Sequence, residues 1–361
     1  MRPNQSTFDW EKAEHFARRT AQQVVAAMNV NLSHLGDQLG LYQHIRELGA
    51  VTSDQLAEHT GLHERWIREW LRHQACNSQL DYHPDEDKFS ISEEAAAVLC
   101  DSDHPLYFAG GLEAVAATRV VTQKLPEIFK SGIGFSYDDH GGACACGVER
   151  MNNYVPRFVL VPQILPEISG LVEKLEQGIT VADVGCGSGI ALLHMAEAFP
   201  NSSFLGYDIS RHALKRARAK TAESGLENAQ IIDVKDSPLP RDHSIDFIST
   251  FDVVHDVPFP DQLIDDIYQS LKPDGIWLCS DIRSFPTFKQ NLEELPHAAI
   301  MYGFSLHVCM SSALSEEGGA GLGTLGFNIE VAKEMASQAG FKSFQKLDYE
   351  NPVNNYYEIR P

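Results

Sequence analysis

Between positions 180 and 189 the chain reads Thr-Val-Ala-Asp-Val-Gly-Cys-Gly-Ser-Gly. A short apolar run carries an acid and runs straight into three glycines at alternate positions. A run of this length and composition fits a strand buried in a parallel sheet. The glycines allow a sharp turn and let a ligand lie against bare backbone. A helical pattern over 190–199 follows at once, so its free N–H groups and the positive end of its dipole point at whatever binds there. This strand–turn–helix unit belongs in a doubly wound α/β sheet with a nucleotide-type ligand at the turn.

The glycine spacing selects among nucleotides. A dinucleotide fingerprint is G-x-G-x-x-G. Here Gly185, Gly187 and Gly189 give G-x-G-x-G, position 190 is Ile, and Asp183 precedes the first glycine by two. This resembles the first motif of class I S-adenosylmethionine-dependent methyltransferases. The resemblance implies that Asp183 meets the ammonium of the methionine tail, directly or through water, and that the helix N-terminus meets its carboxylate.

The downstream pattern agrees with that resemblance. A second strand over 204–209 ends on Asp208, roughly 20 residues after the loop, where a carboxylate can hold two ribose hydroxyls. Ile209 would then lie against the adenine. A third strand over 229–233 leads to Asp236 and Ser237, placed to reach the adenine amino group. A fourth strand over 246–251 ends at Phe251, also assigned to the cofactor site. A helix over 260–271, the turn Lys272-Pro273-Asp274-Gly275 and a fifth strand over 276–280 follow. That turn again resembles class I methyltransferases. The implied fold is a Rossmann-like seven-stranded α/β sheet, the cofactor is S-adenosylmethionine, and the product is S-adenosylhomocysteine.

The first hundred residues have another character. A long helical pattern over 8–31 is suited to packing against a second copy of the chain. Helical stretches over 39–48, just after 51–53, and over 63–76 precede two short strand-like segments around the polar tip 83–87. This is a winged helix-turn-helix pattern. Its third helix carries Arg65, Arg68 and Arg72 but also Glu64 and Glu69. Residues 1–100 hold nine Lys/Arg against fifteen Asp/Glu. Phosphate contact needs a net positive face, so dimerisation is the expected role and nucleic acid an unlikely partner. A winged-helix DNA-binding regulator that responds to S-adenosylmethionine is the alternative.

The segments Gly36-Asp37-Gln38-Leu39-Gly40-Leu41-Tyr42, Thr60-Gly61-Leu62 and Arg68-Glu69-Trp70-Leu71 resemble the N-terminal half of a bacterial and invertebrate methyltransferase family. Its members join a winged helix to a class I catalytic domain. Positions 319–324 and 354–361 resemble it as well. The domains expected are 1–100, a winged helix that makes a homodimer; 101–175, a helical linker and active-site lid; and 176–361, the cofactor-binding domain.

Composition bounds the remainder. The net charge of −21 opposes a main role on nucleic acid or an anionic membrane. No apolar run reaches the ~20 residues of a membrane span, and seven cysteines, an odd number, suit free thiols in the cytoplasm. The Gly-rich loop 132–142 has the composition of a lid and offers Tyr137 and His140 to the acceptor cavity. Cys144 and Cys146 are too few for a convincing metal site, so no metal is expected. A second cavity wall is read at 295–312, with Met301, Tyr302, Phe304 and His307. The stretch Val254-His255-Asp256 is similar to the His-Asp pair of plant-type O-methyltransferases, which implies His255 as base for a hydroxyl acceptor. An amine or thioether acceptor needs no such base, and His255 would then only line the pocket. The acceptor is expected to be a small molecule, methylated on O, N or S.

Overall fold

The computed structural model describes residues 8–361. The chain divides into two compact units, Met1–Ala116 and Ala117–Pro361, with the boundary inside the helix Ala109–Thr122.

The first unit begins with the helix Trp10–Gln38, which runs past the expected end at 31. Three shorter helices follow: Leu41–Leu48, Ser53–Thr60 and Glu64–Cys76. Local signals set their ends. Gly40 takes a left-handed conformation (φ 66°) and separates the first two helices, so the second starts at Leu41 and not at the expected Leu39. Thr52 and Gln55 form a reciprocal capping box, and left-handed Gly61 closes that helix. The antiparallel hairpin of β1 (Asp81–His83) and β2 (Lys88–Ser90) forms the wing, and Val51 bridges to Phe89. Leu41, Tyr42, Ile45, Leu56, Ile67, Leu71 and Phe89 fill the core. Two buried polar groups are satisfied there: Tyr42 Oη donates to Gln74 Oε1 (2.7 Å) and Trp70 Nε1 to the Leu32 carbonyl (2.8 Å). On the third helix of the motif, Arg68 is paired with Glu64 and Arg65 with Glu69, so these cations are neutralised along their own helix. The long first helix leaves Trp10, Phe16, Val24, Val25 and Met28 exposed.

The second unit is built on a seven-stranded sheet of order β5-β4-β3-β6-β7-β9-β8. The strands are β3 (Thr180–Val184), β4 (Ser203–Asp208), β5 (Ala229–Asp233), β6 (Ile245–Phe251), β7 (Leu271–Ile282), β8 (Ser343–Lys346) and β9 (Asn354–Arg360). Only β9 runs against its neighbours. Period-two alternation divides the strands' side chains between two cores. Phe247, Leu278 and Tyr356 enter one, and Ile248, Trp277 and Tyr357 the other. From central β3 the chain winds out through β4 and β5, then returns to begin β6 on the other side. The crevice beyond the C-terminal ends of β3 and β6 is therefore the topological switch point, where open α/β sheets bind ligands.

Residues 109–131 form two helices, Ala109–Thr122 and Leu125–Ser131, with Pro126 in the first turn of the second; proline is tolerated there and not in a helix interior. Two expectations about local structure are revised. The 271–275 turn is absorbed into β7, whose pairing with β6 is irregular between Leu271 and Ile276. The 295–312 wall is Ala298–Phe304, a π-turn at Ser305–Cys309, and Met310–Ala313. Among the described residues no helix is long and apolar enough to cross a membrane.

Candidate active site

The glycine loop closes β3. Gly185, Gly187 and Gly189 all have positive φ (72°, 57° and 79°), which only glycine adopts without strain. Gly185 and Cys186 donate their N–H groups to the Tyr207 carbonyl, and Gly189 caps the helix Ile190–Ala198. A side chain on Gly185 would strike Val253 at 2.4 Å, whereas a Cβ on Gly187 would meet nothing within 4 Å. The concave face over Gly187 is thus open bare backbone.

Asp208 ends β4 beside that face. Its Oδ2 accepts from Gly187 N (2.8 Å) and its Oδ1 from Ser210 N (2.7 Å). Burial raises its pKa, and the backbone N–H bonds work against that rise. A carboxylate fixed by two N–H groups keeps a lone pair on each oxygen for a vicinal diol. The next residue, Ile209, is 54 % exposed and offers an apolar face. Loop, carboxylate and apolar neighbour together fit an adenosine with a zwitterionic tail.

The other expected cofactor residues are placed differently. Asp183 is 1 % exposed and accepts from Ser249 Oγ (2.8 Å), so it lies beneath the loop and not on its ligand face. Burial pushes its pKa up to about 7. Phe251 is partly buried and packs against the core that contains Leu278 and Tyr356. Asp236 and Ser237 are exposed in the turn after β5, their N–H groups held by the Asp233 carbonyl.

Beyond β6 the chain enters a buried polar cluster. His255 is 2 % exposed, and its Nδ1 donates to Asp281 Oδ1 at 2.7 Å. Asp281 belongs to β7, the neighbour of β6, and its Oδ1 also accepts from Ile282 N. Burial disfavours the charged ring, but the charges and hydrogen bonds of Asp281 and Cys309 outweigh it and raise the pKa of His255 well above the ordinary histidine value. The sequence motif suggested Asp256 as partner; the structure assigns that place to Asp281. One signal for it was present: Asp281 falls at the C-terminal end of β7 and His255 shortly after β6, and the two strands are parallel neighbours. Asp252 has a left-handed backbone (φ 57°) and accepts from Asn354 Nδ2, and burial lifts its pKa to about 7.

The 132–151 segment lies against this region. Asp138 Oδ1 accepts from Ser210 Oγ (2.6 Å), two residues after Asp208. Gly134 N donates to the Leu314 carbonyl and Phe135 N to Ser311 Oγ. Tyr137, Phe304 and Cys309 pack together. His140 is 4 % exposed; its Nδ1 donates to the Ser136 carbonyl, and its Nε2 is buried without a hydrogen bond. Met301 and Tyr302 pack in a separate cluster with Ile282 and Leu295. His307 has both ring nitrogens engaged, Nδ1 with the Gly303 carbonyl and Nε2 with Thr122, so it has no free nitrogen for an acceptor. Cys144 and Cys146 are both on the helix Gly142–Met151. Two residues apart on a helix, they point to different sides.

Comparison with known proteins now has a geometry to be judged against. Residues 175–318 match the family model "Methyltransferase domain" and residues 26–101 the model "Rv2258c-like winged HTH domain". A demethylmenaquinone methyltransferase of Listeria monocytogenes is 32% identical over 177 residues, which is 48% of this chain and 69% of that protein. Human N-acetylserotonin methyltransferase, solved with S-adenosylmethionine, superposes with a TM-score of 0.70 at 16% identity over 99% of both chains. Mitomycin 7-O-methyltransferase gives 0.67 at 19% identity over 97% of this chain and 99% of that one. A DNA-binding regulator is not the reading these likenesses favour. The chain belongs to the class I S-adenosylmethionine-dependent methyltransferases that carry an N-terminal winged-helix domain.

Proposed function

We propose that the chain methylates a hydroxyl of a small, modestly polar or aromatic acceptor, with His255 as the base. The observation that supports this most strongly is the buried His255–Asp281 pair at the C-terminal ends of β6 and β7. S-adenosylmethionine, when bound, supplies a methyl group already activated on a sulfonium. The open backbone at Gly187 and the carboxylate of Asp208 would hold it, with Ile209 against the base. Asp183 would act from beneath the loop through its field.

The work left to the protein is alignment, exclusion of water and removal of one proton. Asp281 keeps His255 Nδ1 protonated and so leaves Nε2 to take the hydroxyl proton. The nearby carboxylates raise the affinity of that ring for the proton it accepts. The 132–151 segment acts as a lid that brings Tyr137 and His140 to the cavity. Phe304 lines the opposite wall, with Met301 and Tyr302 behind it. The winged helix serves as a dimerisation module, supported by the exposed apolar residues of Trp10–Gln38 and by the internal pairing of its arginines. A cytoplasmic location suits the free thiols.

The test is homocysteine release from S-adenosylmethionine with a panel of phenols, naphthols and hydroquinones. His255→Gln should lower kcat on the best acceptor by about 10²-fold or more and leave S-adenosylmethionine affinity within a few-fold. Asp281→Asn should lower kcat in the same direction. Wild-type kcat in His255→Gln would remove His255 as the base.

A further inference from the structure

The proposed base lies within a set of metal-binding atoms. One nitrogen of His255, one carboxylate oxygen of Asp256 and the sulfur of Cys309 lie within 4.8 Å of one another. We propose that these three side chains form a binding site for a thiophilic divalent cation, with zinc as the natural occupant, and that the bound ion takes His255 out of methyl transfer.

The donor set suits zinc, which takes thiolate, imidazole and carboxylate in a tetrahedron of four ligands. The second shell is already in place. Zinc-bound histidines characteristically pass their other N–H to a carboxylate, and His255 Nδ1 donates to Asp281 at 2.7 Å. That leaves Nε2 for the cluster. Asp256 Oδ1, Asp281 Oδ2 and His140 Nε2 are buried without hydrogen bonds. His140 Nδ1 is engaged with the Ser136 carbonyl, so in the neutral ring Nε2 presents a lone pair. A water molecule can complete the tetrahedron.

Binding is a ligand exchange with no change of oxidation state. The cation takes the sulfur of Cys309 as thiolate, a ring nitrogen of His255 as neutral imidazole and a carboxylate oxygen of Asp256, and the protons it displaces pass to solvent. No oxidant or reductant is needed.

The inhibitory half rests on His255 being the base; the binding half does not. The experiment uses the full chain, stripped with chelator and titrated with cobalt(II) alone. The expected result is one equivalent bound, with a thiolate-to-cobalt charge-transfer band that zinc abolishes. Cys309→Ser should lose that band and weaken zinc binding by at least tenfold. The zinc concentration that halves homocysteine release should rise by the same factor. Absence of the band in wild type, or its persistence in Cys309→Ser with loss in Cys144→Ser, overturns the site. Zinc that binds through Cys309 without slowing transfer leaves the site standing and removes His255 as base.

Discussion

Asp183→Asn isolates the electrostatics beneath the cofactor loop. Asp183 is 1 % exposed with a single side-chain hydrogen bond, from Ser249. Its pKa rises from 3.8 to about 7 because burial penalises the charged form. The folded state therefore holds this proton more tightly than the unfolded chain does. The resulting stability is complete below pH 3.8, falls as pH rises through the window from 3.8 to about 7, and is gone above it. At about 1.4 kcal/mol per unit, the full span is worth about 4 kcal/mol, of which about 3 falls between pH 5 and pH 8. Asparagine cannot ionise, so the variant lacks this slope. Its amide can still accept from Ser249, but its NH2 group adds a buried donor at a pH-independent cost of about 1–3 kcal/mol. The difference in unfolding free energy, variant minus wild type, should thus rise by about 3 kcal/mol from pH 5 to pH 8. Urea denaturation of the ligand-free protein at four pH values measures it. Parallel curves for the two proteins would show that Asp183 is ionised throughout and that burial does not control it.

Two further perturbations act on other parts of the site. Asp208→Ala frees the N–H groups of Gly187 and Ser210 and removes the diol acceptor, so calorimetry should find S-adenosylmethionine binding weakened by at least ~30-fold, the equivalent of two hydrogen bonds; unaltered affinity would remove Asp208 from the cofactor site. In Gly134→Ala, the added Cβ would fall 2.0 Å from the Ser311 carbonyl oxygen, so the lid segment must lift; hydrogen exchange over 132–142 should quicken and KM for the acceptor should rise, and wild-type exchange there would mean the contact is absorbed elsewhere.

The parts of this molecule that follow from local sequence were legible. The glycine loop, the acid ending β4 and the positions of the sheet's strands along the chain all rest on short-range pattern: apolar runs, glycine at positive φ, and acids at strand ends. The wing and its flanking caps were read in the same way. The parts set by sheet neighbours were not. Asp256 stands next to His255 in sequence, yet Asp281 takes the hydrogen bond because β6 and β7 are adjacent and in register. His307 read as a cavity residue from its helical spacing with Phe304, and the π-turn with Thr122 turns it to other work. Cys309 falls in the 295–312 stretch read as a cavity wall, but only the fold brings it to His255.

The π-turn at Ser305–Cys309 also bears on how acceptor preference can change in descent. A π-turn holds one residue more than a regular helical turn. Loss of one residue from it would restore the 3.6-residue repeat and rotate everything beyond by about 100°. The side chain beside His255 would then be a different one, while the sheet, the glycine loop and the Asp208 carboxylate stayed where they are. A one-residue deletion or insertion here is thus a route to a new acceptor that leaves cofactor binding untouched, and it needs no substitution at any residue that touches the cofactor.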